Sequence, residues 1–393
     1  MTTWPPNSSA ELSAPITQQM PGLKIVSVMT TASAGGAEFA AVEMLDALAA
    51  RGHDVVMLSD LPRIGRDSAV RVEPLHTGPK LSVRSWRRLA AGWPAYVRRL
   101  QRALEQQMPY HVLLVHYKKE QLMVPWLPGR LRRHVAWAEW GPVPYQFRGG
   151  LPRRAYLRAA RGADVVMAVS AGTKASVEAV GVPSRKVAVV PNVVDVEAVR
   201  YNGEGRHAVR ERLGIAADAF VVGCISRFHP KKRNDVVVDA VLRLDDPGVH
   251  LVMAGAGETE AALRRQAEPL GTRGHFVPTP TSDVADVMSA FDVSVFCPSP
   301  TEGAPRATIL GMLVERPCLA TGAEGVADLI RPEFGAITQP ENDAAALATV
   351  LRTYLADPSL GPRQGMAARA WAEGVYARPV VAAQIEQLLT PWR

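Results

Sequence analysis

The stretch LKIVSVM at residues 23–29 is a compact apolar run, and the glycine pair Gly35 and Gly36 follows it within a few residues. An amphipathic segment then continues to Gly52, and a second apolar run occupies residues 54–59. Short apolar runs are typical of buried strands, and apolar residues at helical spacing indicate a helix. The order predicts strand, glycine turn, helix and strand, which begins a parallel sheet wound with helices.

The same alternation recurs along the rest of the chain. The length of 393 residues exceeds what one hydrophobic core usually serves. We therefore predict an α/β protein with two doubly wound, Rossmann-like domains that face each other across a cleft. Further strand-like runs lie at residues 111–116, 134–138, 164–170, 186–190, 220–226, 249–254, 292–296 and 317–320.

The domain boundaries follow from local composition. A polar, glycine-containing stretch runs from about residue 195 to Gly205 and indicates an interdomain link. We assign residues 23–200 to the first domain, 201–375 to the second, and 376–393 to a C-terminal helix that packs back toward the first. Residues 1–22 are rich in Ser, Thr, Pro and Gln and lack signal-peptide features, so we expect a disordered leader.

Composition excludes several classes of protein. Hydrophobic residues make up 47% and charged residues 21% of the chain, as in ordinary globular proteins. No apolar run approaches the roughly 20 residues that cross a bilayer, so we expect no transmembrane anchor. Because signal-peptide features are also lacking, we expect a cytoplasmic protein. Cys224, Cys297 and Cys318 show neither metal-ligand nor disulfide spacing, so we expect them in the core.

The segment from Lys80 to Arg102 contains seven Lys or Arg residues and no acidic residue, in a chain of net charge +7. Apolar residues recur in it at helical spacing, and Pro94 should kink or break the helix. We favour a helix that packs on a sheet by its apolar stripe. Peripheral contact with an anionic membrane at its inner face is the alternative. No nucleic-acid-binding pattern accompanies the charge, so we expect no nucleic acid partner.

Charged side chains follow the ends of two predicted strands in the second domain. Arg227 and Lys232 come just after residues 220–226, and Glu302 lies in a Pro/Gly-rich loop after residues 292–296. Open α/β sheets bind ligands at the carboxyl ends of their strands. Cations hold phosphate oxygens, and a carboxylate accepts hydrogen bonds from hydroxyl groups. The three residues therefore predict a site for a ligand with a diphosphate and a sugar.

Three turns could add backbone contacts to this ligand. Glycines leave room for close approach, and the N-terminus of a helix presents amides to negative charge. A plain strand-to-helix turn is the alternative for both glycine pairs, and the second pair is no complete dinucleotide fingerprint. The residues concerned are Gly35, Gly36, Gly255, Gly257, Gly303, Ala304, Pro305 and Arg306, whose side chain would also add charge.

The order and spacing of these segments resemble the GT-B glycosyltransferases, specifically the retaining group called family 4, over nearly the whole chain. Residues 35–38 resemble the family's first glycine loop, and residues 164–170 and 191–195 resemble the segments that end its first domain. Residues 226–232 resemble the motif whose arginine and lysine hold the donor diphosphate. Glu302, followed by glycine, resembles the start of the motif that holds the donor sugar.

The resemblance implies a hexosyltransferase-type enzyme with a nucleoside-diphosphate sugar in the second domain and an acceptor bound mainly by the first. It implies retention of anomeric configuration through a front-face transfer without an enzymic nucleophile. His116 stands where the family often has a histidine that touches the donor sugar, although a packed histidine is the alternative. Glu139 is a candidate acceptor-binding residue, or else a hydrogen-bonded structural group.

We expect no metal and no cofactor besides the nucleotide-sugar co-substrate. The chain has no Asp-x-Asp, His-Glu-x-x-His or cysteine/histidine metal pattern. Charge on the departing nucleoside diphosphate would then be offset by Arg227, Lys232 and helix dipoles.

Leu310 departs from the family pattern, which has a second glutamate eight residues beyond the first. That glutamate accepts hydrogen bonds from the ribose hydroxyls of the donor, and leucine cannot. Glu315 lies too far along the predicted helix to substitute. We therefore expect the ribose to be held by backbone, by water or weakly, which leaves the type of donor and the retention of activity open.

The acceptor and three other functions stay open at this stage. A specialised metabolite, an aminocyclitol and a lipid-linked saccharide all fit as acceptors. The other functions are a lookalike that couples non-sugar cyclitols, an epimerase of nucleotide-sugars, and a non-catalytic nucleotide-sugar-binding protein.

Overall fold

A computed structural model describes residues 22–392 of the protein, except residues 32–34, 62–67, 69, 83, 280–282, 300–301, 323–325 and 327. The expected leader, apart from its last residue, lies outside the described residues. The described chain forms two parallel sheets, each covered by helices, which confirms the predicted fold class.

The first sheet has the strand order β3-β2-β1-β4-β5-β6-β7. Its strands are β1 (Lys24–Val28), β2 (Asp54–Ser59), β3 (Arg71–Pro74), β4 (Val112–Val115), β5 (Val135–Glu139), β6 (Val165–Ala168) and β7 (Val187–Val189). Its helices are α1 (Gly36–Ala50), α2 (Trp86–Gln106), α3 (Lys118–Met123), α4 (Gly150–Ala160) and α5 (Ala171–Val180).

The second sheet has the strand order β10-β9-β8-β11-β12-β13. Its strands are β8 (Phe220–Ile225), β9 (Val249–Ala254), β10 (Gly274–Val277), β11 (Val293–Phe296), β12 (Cys318–Thr321) and β13 (Gly335–Thr338). Its helices, with those that end the chain, are α6 (Gly203–Leu213), α7 (Asn234–Leu242), α8 (Glu260–Gln266), α9 (Val284–Ser289), α10 (Arg306–Leu313), α11 (Ala344–Ala356), α12 (Leu360–Tyr376) and α13 (Arg378–Leu389).

Both faces of each sheet are buried, which explains the continuous apolar runs of the central strands. In β1, Val26 and Val28 join the core on one face, while Ile25 joins the core on the other. In β8, Val221 and Val222 divide in the same way between two cores of the second domain. The three cysteines are buried, and burial raises the pKa of each thiol to about 12.

Three strands escaped the sequence prediction, and all three lie at sheet edges. β3 and β10 contain no fully buried residue, and the middle residues of β13 are half-buried. An edge strand has a neighbour on one side only, so its sequence does not need the apolar run that identifies a central strand.

Helix α2 contains the arginine-rich segment and continues through Pro94, where we expected a kink or break. Leu89, Val97, Leu100 and Leu104 face the first core, as the packed-helix interpretation predicts. The arginines at 84, 87, 88, 98, 99 and 102 are exposed. No helix in the described part of the chain is both long enough and apolar enough to cross a membrane.

The end of the chain connects the two domains. Helix α12 packs in a core of the second domain, while α13 contributes Val381, Ile385 and Leu389 to the core beneath α1. The crossing lies beside the interdomain link, where the Val194 N–H donates to the Tyr376 carbonyl at 2.9 Å. Arg51, at the end of α1, forms a two-pronged ion pair with Glu386 of α13.

The strand orders reverse between β1 and β4 in the first sheet and between β8 and β11 in the second. Loops that follow these strand pairs diverge to opposite faces of the sheet and leave a crevice between them. Gly35 and His116 follow β1 and β4, while Arg227 and Glu302 follow β8 and β11. The topology therefore places the candidate residues of each domain at a ligand-binding position.

Candidate active site

The second domain brings a cation and a carboxylate together at the β8–β11 crevice. The Lys232 ammonium donates to Glu302 Oε2 at 2.8 Å and lies 5.1 Å from the centre of the Phe296 ring. Both side chains of the pair are about a quarter exposed. Arg227 is exposed and has no ion-pair partner among the described residues. The fold thus unites residues that are seventy positions apart in the sequence.

Close packing of two turns holds the segment that carries Arg227. The Phe228 N–H donates to the Ala256 carbonyl at 2.9 Å, and the Thr259 N–H donates to the Phe228 carbonyl at 3.1 Å. A Cβ at Gly255 would overlap the Ser226 carbonyl, and one at Gly257 would overlap the Phe228 carbonyl. Backbone packing alone therefore requires both glycines, and their contact with a nucleotide stays a prediction.

The loop that carries Glu302 contacts the first domain. A Cβ on Gly303 would lie 2.5 Å from the Trp140 carbonyl oxygen and 2.6 Å from Gly141 Cα. The Ala304 carbonyl accepts a hydrogen bond from Asn192 Nδ2 at 3.2 Å. Only glycine permits this approach at position 303, so the loop closes directly against the segment that follows β5.

Arg306 begins α10, after Pro305, and its side chain also crosses to the first domain. It forms a two-pronged ion pair with Glu43 of α1, in which Nη2 lies 2.8 Å from Oε1 and Nη1 bonds to Oε2. Each side chain is about one-fifth exposed. The charge that we expected beside a leaving phosphate is therefore paired with a carboxylate of the opposite domain.

Leu310, at the position of the family's second glutamate, belongs to the second-domain core and is 7% exposed. Glu315 lies beyond the end of α10. No carboxylate of α10 can therefore take the place of the missing glutamate, because Leu310 packs inward and α10 contains no acidic residue.

Gly35 caps α1 but does not leave its amide free. The Gly35 N–H donates to Glu38 Oε2 at 2.9 Å, and the Tyr117 hydroxyl donates to Glu38 Oε1. Burial, together with the nearby Glu38 charge, raises the pKa of Tyr117. A carboxylate of the chain already sits at this helix N-terminus, so phosphate binding at Gly35 and Gly36 stays a prediction without added support.

His116 is buried, and both of its ring nitrogens have partners. Trp140 Nε1 donates to Nδ1 at 3.2 Å, so the proton lies on Nε2, which is 2.8 Å from Ser27 Oγ. Burial lowers the pKa of the imidazole to about 3. The histidine is therefore neutral and fixes Trp140, whose backbone abuts Gly303; a contact with the donor sugar stays a prediction.

Glu139 is the last residue of β5, and its buried carboxylate accepts hydrogen bonds from three side chains. Lys118 Nζ donates to Oε2, while Gln121 Nε2 at 3.2 Å and the Tyr156 hydroxyl at 3.1 Å donate to Oε1. Burial lowers the pKa of Lys118, and the Glu139 charge opposes that change. This arrangement matches the structural alternative for Glu139, and its acceptor role stays a prediction.

A second buried group at the same edge of the first sheet was not predicted. Thr30, after β1, and Thr77, after β3, both donate to Glu120 Oε1, and Lys119 Nζ lies 3.3 Å from the same oxygen. Burial raises the pKa of Glu120. The sequence could have indicated this group only through position, because its residues follow three strands whose carboxyl ends lie at the same edge of the sheet.

The described residues contain no group of three or more His, Cys, Asp or Glu side chains that could hold a metal ion.

The family comparison agrees with this two-domain geometry. The model described as "Glycosyltransferase Family 4" matches residues 34–198, and that described as "Glycosyl transferases group 1" matches residues 219–357. The chain is a family 4-like GT-B glycosyltransferase. One match falls on each of the two domains, and residues 199–218, which include most of the interdomain link, lie between them.

Curated relatives of this GT-B chain include a protein of Mycolicibacterium smegmatis named GDP-mannose-dependent alpha-(1-6)-phosphatidylinositol monomannoside mannosyltransferase. It is 28% identical over 61% of this chain and 65% of its own length. A D-inositol 3-phosphate glycosyltransferase of Geodermatophilus obscurus is 30% identical over 50% of this chain and 46% of its own length. The chain thus spans between about half and two thirds of these relatives.

Solved structures support the fold at low sequence identity. The Anabaena protein HepE, in complex with UDP and glucose, superposes with a TM-score of 0.79. The identity is 20%, and the match covers 94% of this chain and 99% of HepE. The likeness extends over both domains and establishes the GT-B arrangement.

Proposed function

We propose that the protein transfers a sugar from a nucleoside-diphosphate sugar to a hydroxyl group of an acceptor, with retention of anomeric configuration and without a metal ion. The observation that carries the proposal is the contact of Lys232 with Glu302 at the β8–β11 crevice. One group suits phosphate oxygens and the other suits sugar hydroxyls, and a glycosyl diphosphate places those two parts side by side.

Different residues of the second domain bind the diphosphate and the sugar of the donor. Arg227 and Lys232 bind the diphosphate, and the amides that begin α10 add dipoles. Glu302 accepts hydrogen bonds from the sugar, while Lys232 passes from the carboxylate to the phosphate. Gly303 keeps the loop close to the first domain, so the sugar faces the acceptor.

The transfer needs no nucleophile from the protein. The bond from the anomeric carbon to the phosphate oxygen breaks, and a bond to the acceptor oxygen forms on the same face. The acceptor proton passes to the departing phosphate, whose charge Arg227 and Lys232 stabilise. The neutral state of His116 is consistent with this scheme, because a buried imidazole with a pKa of about 3 is a poor base at neutral pH.

The acceptor belongs to the first domain in this proposal. The names of the relatives specify an inositol phosphate and a mannosylated phosphatidylinositol as acceptors of those proteins. We infer an acceptor with a polyol or lipid-linked hydroxyl group for this chain. The similar proteins give two candidate bases for the donor nucleotide: uridine, which is bound in HepE as UDP, and guanosine, which the name of the Mycolicibacterium smegmatis relative specifies.

We infer a cytoplasmic protein that reaches a lipid-linked acceptor at the inner face of a membrane. Helix α2 is the part of the protein that would bind to that membrane. Trp86 is 53% exposed at the start of the helix, and Arg84, Arg87 and Arg88 are exposed beside it. Sedimentation with anionic liposomes at low and high salt tests this contact. Joint replacement of the three arginines by Gln should abolish sedimentation of the protein with the liposomes. The membrane contact is contradicted if the unaltered protein does not sediment with them, or if it does so equally at low and high salt.

Glu302→Gln tests the roles in the donor site. The variant should bind UDP or GDP at least as tightly as the unaltered protein does, because Glu302 touches the sugar and its replacement frees Lys232 for the phosphate. It should lose turnover of the matching nucleotide-sugar. The measurements are calorimetry and release of nucleoside diphosphate with a panel of polyol acceptors. Normal turnover would remove Glu302 from the site, and change of the donor without an acceptor would favour an epimerase.

Chelation tests metal independence. Turnover should persist in excess EDTA, because Arg227 and Lys232 offset the phosphate charge. Loss of turnover that a divalent ion restores would contradict this part of the proposal.

A further inference from the structure

The ion pair between Arg306 and Glu43 connects the donor loop to the opposite domain. Arg306 begins the helix whose N-terminus is proposed to face the leaving phosphate, and Glu43 belongs to α1 of the first domain. The pair has the two-pronged geometry that a guanidinium also uses for phosphate. A carboxylate therefore occupies Arg306 in the way an anionic ligand would.

The cations of the proposed donor site differ in their present partners. Lys232 is paired with Glu302, Arg306 is paired with Glu43, and Arg227 has no ion-pair partner among the described residues. Glu302 has its own proposed role, because it accepts hydrogen bonds from the sugar. Glu43 lies in the other domain and touches the donor loop through Arg306, so its charge needs a separate explanation.

Electrostatics gives that explanation. A carboxylate within hydrogen-bonding distance cancels most of the charge with which Arg306 would attract a diphosphate. Both side chains keep about one-fifth exposure, so solvent and ligand can reach the pair. The cost of separating an ion pair that solvent reaches is lower than that of a fully buried pair, and a diphosphate offers more charge than one carboxylate. Exchange of partners at Arg306 is therefore energetically accessible.

We propose that Glu43 competes with the diphosphate of the donor for Arg306, and so sets the affinity of the donor site from the opposite domain. This inference rests on the proposed function. When the donor binds, Arg306 turns from Glu43 to the phosphate, and one of the contacts between α1 and the donor loop is released. The contacts of Gly303 and Ala304 with the first domain remain.

Calorimetric titration of the full chain with UDP and with GDP tests the competition. Glu43→Gln should bind the preferred nucleotide about fivefold more tightly, as expected for release of a solvent-accessible ion pair. Arg306→Ala should bind it more weakly, because a phosphate partner is lost. In the Arg306→Ala background, Glu43→Gln should give no comparable gain, since its effect acts through Arg306.

Glu386→Gln is the matched control. It breaks another two-pronged Arg–Glu pair of α1, with Arg51, and makes the same change in net charge. Nucleotide affinity should not change in this variant, and thermal unfolding of every variant checks the fold. Unchanged or weaker binding by Glu43→Gln, or an equal gain in Glu386→Gln, would overturn the competition alone. Failure of the unaltered protein to bind either nucleotide would overturn the proposed function as well.

Discussion

Polar side chains follow the central strands of both sheets, but their surroundings differ. In the first domain His116 and Glu139 are buried, and every side-chain nitrogen or oxygen of the two has a partner. In the second domain Arg227 is exposed, and Lys232 and Glu302 are each about a quarter exposed. Buried, satisfied groups stabilise a fold, whereas accessible charges can exchange partners with a ligand. The same fold position therefore carries satisfied, buried groups in one domain and accessible charges in the other, and only the accessible charges fit the proposed donor site.

The largest expected effect breaks the first-domain network. Glu139→Ala leaves the buried Lys118 ammonium without its carboxylate and should lower the free energy of unfolding by about 3 to 5 kcal/mol. Glu302→Ala is the control and should cost under about 1 kcal/mol, because Lys232 is accessible to water. Chemical denaturation measures both. Similar losses for the two variants would show that the domains do not differ in this way.

The next effect concerns binding in the second domain. Lys232→Ala and Arg227→Ala should each weaken binding of a nucleoside diphosphate by about 1.5 to 3 kcal/mol, the range for hydrogen bonds to charged groups. Stability should change little. The neighbouring Lys231 is exposed and out of register, so Lys231→Ala serves as the control in calorimetry. Equal affinity across all three variants and the unaltered protein would remove the diphosphate from this crevice.

A smaller effect should appear in the pH dependence of stability. Burial holds the pKa of His116 at about 3, below its value of about 6.5 in an unfolded chain. Between these values the unfolded state binds the proton and the folded state does not, so stability falls as pH decreases. The His116 contribution should approach about 1.4 kcal/mol per pH unit below pH 6.

His116→Gln isolates this contribution, because an amide can donate and accept at the same site without titrating there. Denaturant unfolding at pH 7, 6 and 5 should show a shallower loss of stability for the variant. If stability falls equally with pH in the variant and in the unaltered protein, His116 becomes protonated in the folded protein and is accessible to water.

The smallest expected effect concerns the ribose of the donor. Leu310 offers no hydrogen bond, so the loss of one hydroxyl should cost little, and discrimination between ribo- and 2′-deoxyribonucleoside diphosphates should stay below about tenfold. Calorimetry with matched pairs of UDP and GDP analogues measures the ratio. A preference well above tenfold for ribose would show that another group of the site has replaced the missing carboxylate.

Sequence patterns were sufficient to locate the strands that are buried on both faces, because such strands consist almost entirely of apolar residues. The central strands, such as β1 and β8, have continuous apolar runs, and the charged residues after β8 and β11 stand out against them. Edge strands such as β3 and β10 carry no such signal, because one side of each faces no strand.

By itself, the sequence determined the α/β class, the pair of domains and the cations and carboxylate that converge after β8 and β11. Local periodicity and composition encode these features, because burial of a strand or helix constrains its own residues. Only the tertiary structure decided which polar groups are already paired. The contact of Arg306 with Glu43, and the enclosure of His116 between Ser27 and Trp140, join residues that are distant in the chain. No local pattern records such partners, because the packing of separate elements brings them together.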